Sequence, residues 1–364
     1  MNKYSFYKRL ILQFPIFFFL AILSILYLNI YYDVAISNVS DSVERVGTLV
    51  NLHDHRIYLQ ELEYLSNNEV SYELNNDFGI AFIYHLIYEK TQISSVIDIY
   101  VFSLVFNLIV LWLAFYYYNK VCSRHKLPDL ACLMFFLNFS FVYFTQLVNK
   151  DMLTIFILIY TLYFGIKGHY INILLIIPIA FLVRQQLALC LFAFLFLINV
   201  RNTLFWVIIS YIITSLAAGY ISANLQLISA ESMGSGFSSF LMMLNSEYYI
   251  GNLLLNPVRV IQYFLSVPQS LIYVFSDEGL DLAAGLRALT LPLEILSFLF
   301  FFRSLFNIKV TLNSELKVYF LLTYSFFICW LLNPTINARY LMLILPIMVL
   351  GYFYQSEMIK KNDK

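Results

Sequence analysis

The chain has 364 residues, 22 basic and 22 acidic side chains, and a mean hydropathy of +0.76. At 61% hydrophobic and 12% charged, it departs from a soluble domain, which is about half apolar and about a quarter charged. A soluble fold is thereby excluded and a polytopic membrane protein expected; the zero net charge carries no information on partners, because the two signs are separated along the chain. The four cysteines, Cys122, Cys132, Cys190 and Cys329, are scattered without a CxxC or Cys/His pair, which argues against a disulfide framework and a zinc site.

A membrane-spanning helix needs about 20 apolar residues. The first such run, 11–32, follows Lys3, Lys8 and Arg9 and is too long for a cleaved leader, so it is read as an uncleaved anchor. A polar stretch follows, then an apolar piece at 78–88 that is too short to cross. Further spans are predicted at 95–118, 129–147 and 151–167. The run 169–200 is too long for one straight helix and is interrupted by Arg184-Gln185-Gln186. It is read as two shorter helices, 170–183 and 185–200, meeting at that break. Another span is predicted at 204–223. A polar stretch at 224–286 contains an amphipathic piece, 257–275, and the last spans fall at 287–306, 316–334 and 339–355. The expected architecture is a single all-α membrane domain, 1–364, of about ten spans. Its two long extracytoplasmic loops are 33–94, with a short re-entrant or interfacial helix, and 224–286.

Basic residues concentrate in cytoplasmic loops. With the N-terminus inside and strict alternation, 14 of the 22 basic residues fall in inner segments, among them Lys120, Arg124, Lys126, Arg201, Arg303, Lys309 and Lys317. Nine acidic residues between Asp33 and Asp77 fall in the first outer loop. Both termini are then cytoplasmic. Splitting 169–200 makes the parity work, since one span there would invert every later loop. No internal repeat suggests the inverted halves of a transporter.

A remainder of basic side chains sits at the outer ends of different spans: Lys150, Arg184, Arg259, Arg287 and Arg339. Arginine suits phosphate, because its planar fork makes bidentate, charge-assisted hydrogen bonds and never deprotonates. An anionic lipid-linked substrate is therefore expected at this depth. A carboxylate or imidazole could take the proton of an attacking sugar hydroxyl, and Asp54, flanked by His53 and His55, is the first place to look. Tyr58, Asp151, Gln185 and Tyr340 stand beside these residues as supporting groups. Plainer readings exist for each: Arg184 and Arg339 as snorkelling anchors, Lys150-Asp151 as a turn ion pair that starts a helix, and Glu61, Glu63, Glu69 and Glu73 as a solvated acidic face. Two histidines at i and i+2 make a weak metal site, and neither metal nor cofactor is expected.

The pattern resembles the Wzy-type O-antigen polymerases and related capsule and exopolysaccharide polymerases. The likeness rests on Asp54-x-x-x-Tyr58, Asn76-Asp77-Phe78-Gly79-Ile80-Ala81, Asn149-Lys150-Asp151-Met152-Leu153, Arg184-Gln185-Gln186-Leu187-Ala188-Leu189, and Asn337-Ala338-Arg339-Tyr340 with Leu345-Pro346-Ile347. These are short, degenerate pieces spread over most of the chain. The Arg-x10-Gly motif of some members is absent, since Arg339 reaches Gly351 one residue late. The resemblance implies polymerisation of undecaprenyl-pyrophosphate-linked oligosaccharide repeat units at the outer face of the bacterial inner membrane. It implies no nucleic-acid partner, and it leaves room for a chain-length regulator. The same features are similar to GT-C membrane glycosyltransferases, which place an acidic residue in the first outer loop and end in an Arg-Tyr span. A lipid-linked oligosaccharide flippase and a non-catalytic subunit are further alternatives. A carrier is expected to hold ionisable residues at mid-membrane, whereas here they cluster at span ends.

Overall fold

A computed structural model describes residues 3–37, 52–67, 76–224, 237–276, 279–280, 282–333 and 338–362. Its order is α1 (Lys3–Ser37), α2 (Leu52–Ser66), α3 (Asn76–Tyr84) running into a π-turn at His85–Glu89, α4 (Ile99–Arg124), α5 (Asp129–Leu133), α6 (Phe141–Phe144) and α7 (Asp151–Lys167). Then come α8 (Tyr170–Val183), α9 (Gln185–Asn199), α10 (Thr203–Asn224), α11 (Phe237–Tyr248) and α12 (Gly251–Tyr273). The chain continues through α13 (Leu282–Ala288), α14 (Leu291–Phe306), α15 (Ile308–Leu312), α16 (Leu316–Trp330) and α17 (Ala338–Asn362). Between α12 and α13 a two-residue antiparallel ladder pairs Phe275–Ser276 with Gly279–Leu280.

Among the described residues, four helical segments are long and apolar enough to cross a bilayer: Tyr7–Ile30, Ile99–Arg124, Thr203–Asn224 and Arg339–Lys360. Tyr170–Val183, Gln185–Asn199 and Leu316–Trp330 are apolar but shorter. Several helices are apolar on every side. In α1, Ile11 (74% exposed) and Phe18 (57%) face outward while Leu20 is buried. A helix that is hydrophobic all round belongs in a membrane or a large core, and outward-facing apolar side chains of this density suit lipid as the solvent.

The core centres on α7, which packs against α4, α8, α16 and α17. α17 supplies a continuous buried stretch, Leu341 to Leu345 and Ile347 to Leu350. α7 ends on Gly168, whose φ of +70° is the left-handed cap that glycine takes without strain. The 169–200 run divides as predicted: α8 ends at Val183, Arg184 is extended (φ −158°, ψ 124°), and α9 starts at Gln185.

One expectation is corrected. The 129–147 segment is not one continuous helix. It is two short helices, α5 and α6, joined by turns, and Leu147 has a positive φ of 62°. Phe135, Phe136, Phe141, Phe144 and Val148 are all buried. Irregular backbone is tolerated at membrane depth only where protein covers it, and α1, α4 and α17 cover this segment. The 224–286 stretch, for its described part, is largely helical, with α11, α12 and α13. The amphipathic piece predicted at 257–275 lies within α12, which packs against α10, α14 and α17.

Candidate functional site

The site forms where the N-termini of α7 and α17 meet the α8–α9 break and α2. Asp151, the first residue of α7, is fully buried. Its Oδ1 accepts from Arg184 Nη2 at 2.6 Å, and its Oδ2 accepts from Arg339 Nε at 2.8 Å. Arg339 Nη1 also donates to Asp54 Oδ2 at 2.7 Å. At the rim, Lys150 Nζ pairs with Asp77 Oδ1 at 3.3 Å and lies 5.2 Å from the Tyr58 ring centroid. The Arg184 guanidinium lies 5.7 Å from the Tyr340 ring centroid, a stacking partner that suits its planar group.

Arg184, Asp151, Arg339 and Asp54 thus form one hydrogen-bonded network, and the Lys150–Asp77 pair lies beside it. The cluster is graded by depth: the Asp151 side chain is fully buried, whereas those of Asp54 and Asp77 are 32% and 33% exposed. Asp151 holds both arginines from behind, and Asp54 and Asp77 face the open side.

Each member is positioned by identifiable neighbours. The turn before α7 is held by Asn149, whose Nδ2 donates to the Phe144, Gln146 and Leu147 carbonyls and whose Oδ1 accepts from Asp151 N. Asn107, in the middle of α4, donates to the Thr145 and Leu147 carbonyls at 3.1 Å each. Asp77 arrives on α3, which lies against α8. A Cβ on Gly79 would meet Leu182 O at 1.9 Å, so only glycine allows this approach. Asp54 sits in the first turn of α2, where a carboxylate also complements the helix dipole.

Electrostatics follow from this geometry. Burial pushes the Asp54 carboxyl upward, but Arg339, with smaller help from Lys150 and Arg184, holds it below its ordinary value. Burial, reinforced by Arg184, pulls the Lys150 amine down to about 8 against the attraction of Asp77 and Asp54. The Tyr58 phenol is raised chiefly by burial, and its hydroxyl has no hydrogen-bond partner among the described residues.

The other expected site residues fall elsewhere. His55 is buried, and its Nδ1 accepts from Val148 N at 3.0 Å. Burial lowers it to about 3, so it is neutral and already engaged. This corrects its candidacy as a proton acceptor and makes it a support for the α7 turn. His53 lies in α2, and its side chain is outside the described residues, as are Pro334 and Asn337. Gln185 opens α9 beside Arg184. Arg287, in α13, lies within electrostatic reach of Tyr143, as do Asp151 and Arg339, so it borders the network.

Arg259 is corrected to a structural role. It is 1% exposed, and its Nη1 donates to Asn256 Oδ1 at 2.8 Å and to Leu331 O at 2.9 Å. Its Nη2 donates to Asn333 O. It therefore satisfies the carbonyls that follow α16, which have no partner within that helix. Behind it runs a buried amide ladder. Asn252 donates to Asn256 and to Leu331 O, Asn245 to Asn252 and Ser222, and Asn256 to Ser215.

Asn107 and Asp77 were not assigned site roles from the sequence. Asn107 left a signal, an amide in the middle of an apolar run, which is costly unless it has partners. No protein-family model, curated protein or solved structure matches the chain.

Proposed function

We propose that this protein polymerises lipid-pyrophosphate-linked oligosaccharide repeat units at the outer face of a bacterial inner membrane. The observation that carries the reading is the convergence of Lys150, Arg184 and Arg339 on one partly open site with Asp54 at its rim. The proposed arrangement has ten crossings, counting the broken 129–147 segment as one, with both termini cytoplasmic.

In this reading the pyrophosphate of the donor lipid competes with Asp54 and Asp77, the two exposed carboxylates, for Arg339 and Lys150. Asp151 stays behind and keeps Arg184 and Arg339 aimed outward. A hydroxyl of the incoming unit attacks the anomeric carbon of the donor. The bond from that carbon to the pyrophosphate oxygen breaks, and the lipid pyrophosphate leaves with its charge on the arginines. The hydroxyl proton passes to Asp54. Arg339 holds this carboxylate at low basicity until the pyrophosphate takes Arg339 over, so donor binding itself raises the basicity of Asp54. The energy resides in the sugar–pyrophosphate bond.

A GT-C single-sugar transferase is the second reading, favoured by the direct contact of the first-loop Asp54 with the Arg339 that precedes Tyr340. Deleting the gene separates the readings. Loss of a polymerase leaves one complete repeat unit on the final acceptor, loss of a transferase leaves a truncated or undecorated unit, and loss of a flippase leaves none outside. Mass measurement of the surface glycan reads the outcome; a full-length polymer lacking one side-branch sugar overturns the polymerase. Within that assay, Arg339→Lys keeps charge but loses the fork. It is expected to cost about a hundredfold in rate and to shorten the glycan ladder at normal protein level.

A further inference from the structure

The opposite end of the bundle carries a second polar feature with a different design. α17 rises about 22 Å from Arg339 to Tyr354, and Tyr354 Oη donates to Glu315 Oε2 at 2.8 Å, which fixes the α15–α16 connection at that far end. A cavity of about 550 Å³ opens there between the start of α10 and the α15–α16 turn. Arg201, Lys309 and Lys317 line it together with Asn202, Asn313 and Phe205, and no acidic residue does. The nearest acid in sequence, Glu315, is engaged by Tyr354 and lies 3.6 Å from His125 Nδ1. Lys317 Nζ donates to Ile198 O at 3.0 Å, which closes the C-terminal end of α9. Arg201 and Lys309 are exposed and make no ion pair among the described residues.

Three like charges around one cavity repel each other and favour a mobile anion among them. The surroundings say what carries it. Phe205 lines the cavity and is 56% exposed, and Phe306 and Val310, flanking Lys309 in sequence, are 81% and 67% exposed. A water-facing anion site has no need of such a rim, whereas a lipid presents acyl chains beside its phosphate. Arginine and lysine at the headgroup level attract anionic lipid in this way.

We propose that this cavity binds the phosphate of an anionic phospholipid headgroup, with Arg201 and Lys309 as its principal charges. The site is separate from the pyrophosphate site and stands whether or not the protein is a polymerase.

The test uses the full-length protein purified in neutral detergent. Its melting midpoint is measured with phosphatidylglycerol, with zwitterionic phosphatidylcholine, and with inorganic phosphate. Phosphatidylglycerol is expected to raise the wild-type midpoint above that in phosphatidylcholine by about 2–4 °C. The double variant Arg201→Gln/Lys309→Gln is expected to keep the wild-type midpoint in phosphatidylcholine and to lose that increment. Lys317 is left intact because it closes α9. Equal increments in wild type and variant overturn the proposal, as does an increment from inorganic phosphate with none from phosphatidylglycerol. Equal midpoints in the two lipids for wild type overturn it as well.

Discussion

The two polar ends of this bundle handle charge in opposite ways. Around Asp151, arginines are buried and paired: the Arg184 and Arg339 side chains are 5% and 8% exposed and share one fully buried carboxylate. Around Arg201 and Lys309, cations line an open cavity without an acid. A buried charge must bring its partner with it, because desolvation costs several kcal/mol per ion (roughly) and only close, hydrogen-bonded opposite charges offset it. An open cation can leave its partner to solvent, salt or lipid, and a single exposed pair is worth about 0–1 kcal/mol. The first design fixes geometry; the second leaves its cations facing the cavity.

The sharpest way to break this contrast is at Asp151. Asp151→Ala strands the buried Arg184 guanidinium and leaves Arg339 its pair with Asp54, and a loss of about 3–5 kcal/mol in unfolding free energy is expected. Adding Arg184→Met to that variant should recover part of the loss, since the stranded charge is removed. If Asp151→Ala alone unfolds like wild type, the network is solvated and the contrast fails.

A smaller effect is expected at Gly79. Gly79→Ala forces a methyl into the Leu182 backbone, so α3 must retreat from α8 and take Asp77 from Lys150. Overpacking of this kind costs about 1–3 kcal/mol. Protection of α3 amides in hydrogen exchange should fall while that of α7 stays.

Acid sensitivity sharpens the contrast through His55. Its folded value is pulled by burial to about 3 from an ordinary 6.5. Below 6.5 the unfolded chain takes up a proton that the folded one refuses, so stability falls as pH drops from about 6.5 towards 3. The slope approaches about 1.4 kcal/mol per pH unit. His55→Gln should flatten it between pH 6.5 and 4.5. Asp54 contributes in the same direction, but only below its ordinary value of 3.8, because its depressed carboxyl stays charged above that. An unchanged slope in the variant would place the acid-sensitive group elsewhere.

The smallest effect is expected at the open end. Arg201→Gln in detergent without anionic lipid should change the melting midpoint by less than the equivalent of about 0.5 kcal/mol. A large loss would mean that Arg201 is held in a pair of the kind seen around Asp151.

The chain's apolar runs, its basic segments and the Arg184 break were legible in the sequence because each is a one-dimensional signal. Lipid demands long apolar helices, and a charged Arg-Gln-Gln inside such a run cannot continue it unpartnered. Asp54, Lys150, Asp151, Arg184 and Arg339 could be named as outer-face candidates for the same reason. Their grouping could not. Asp54 and Arg339 are 285 positions apart, and only the packing of α7 against α8 and α17 brings Arg184 and Arg339 to the one carboxylate of Asp151. Tertiary structure alone also decided which candidates are scaffolding. Arg259 and His55 have the residue types of a site, but burial against backbone partners commits one to the end of α16 and the other to the α7 turn. The 129–147 segment reads as an ordinary span from composition. It is broken because α1, α4 and α17 shield it from lipid, and Asn107 and Asn149 satisfy the carbonyls that a helix would have paired within itself.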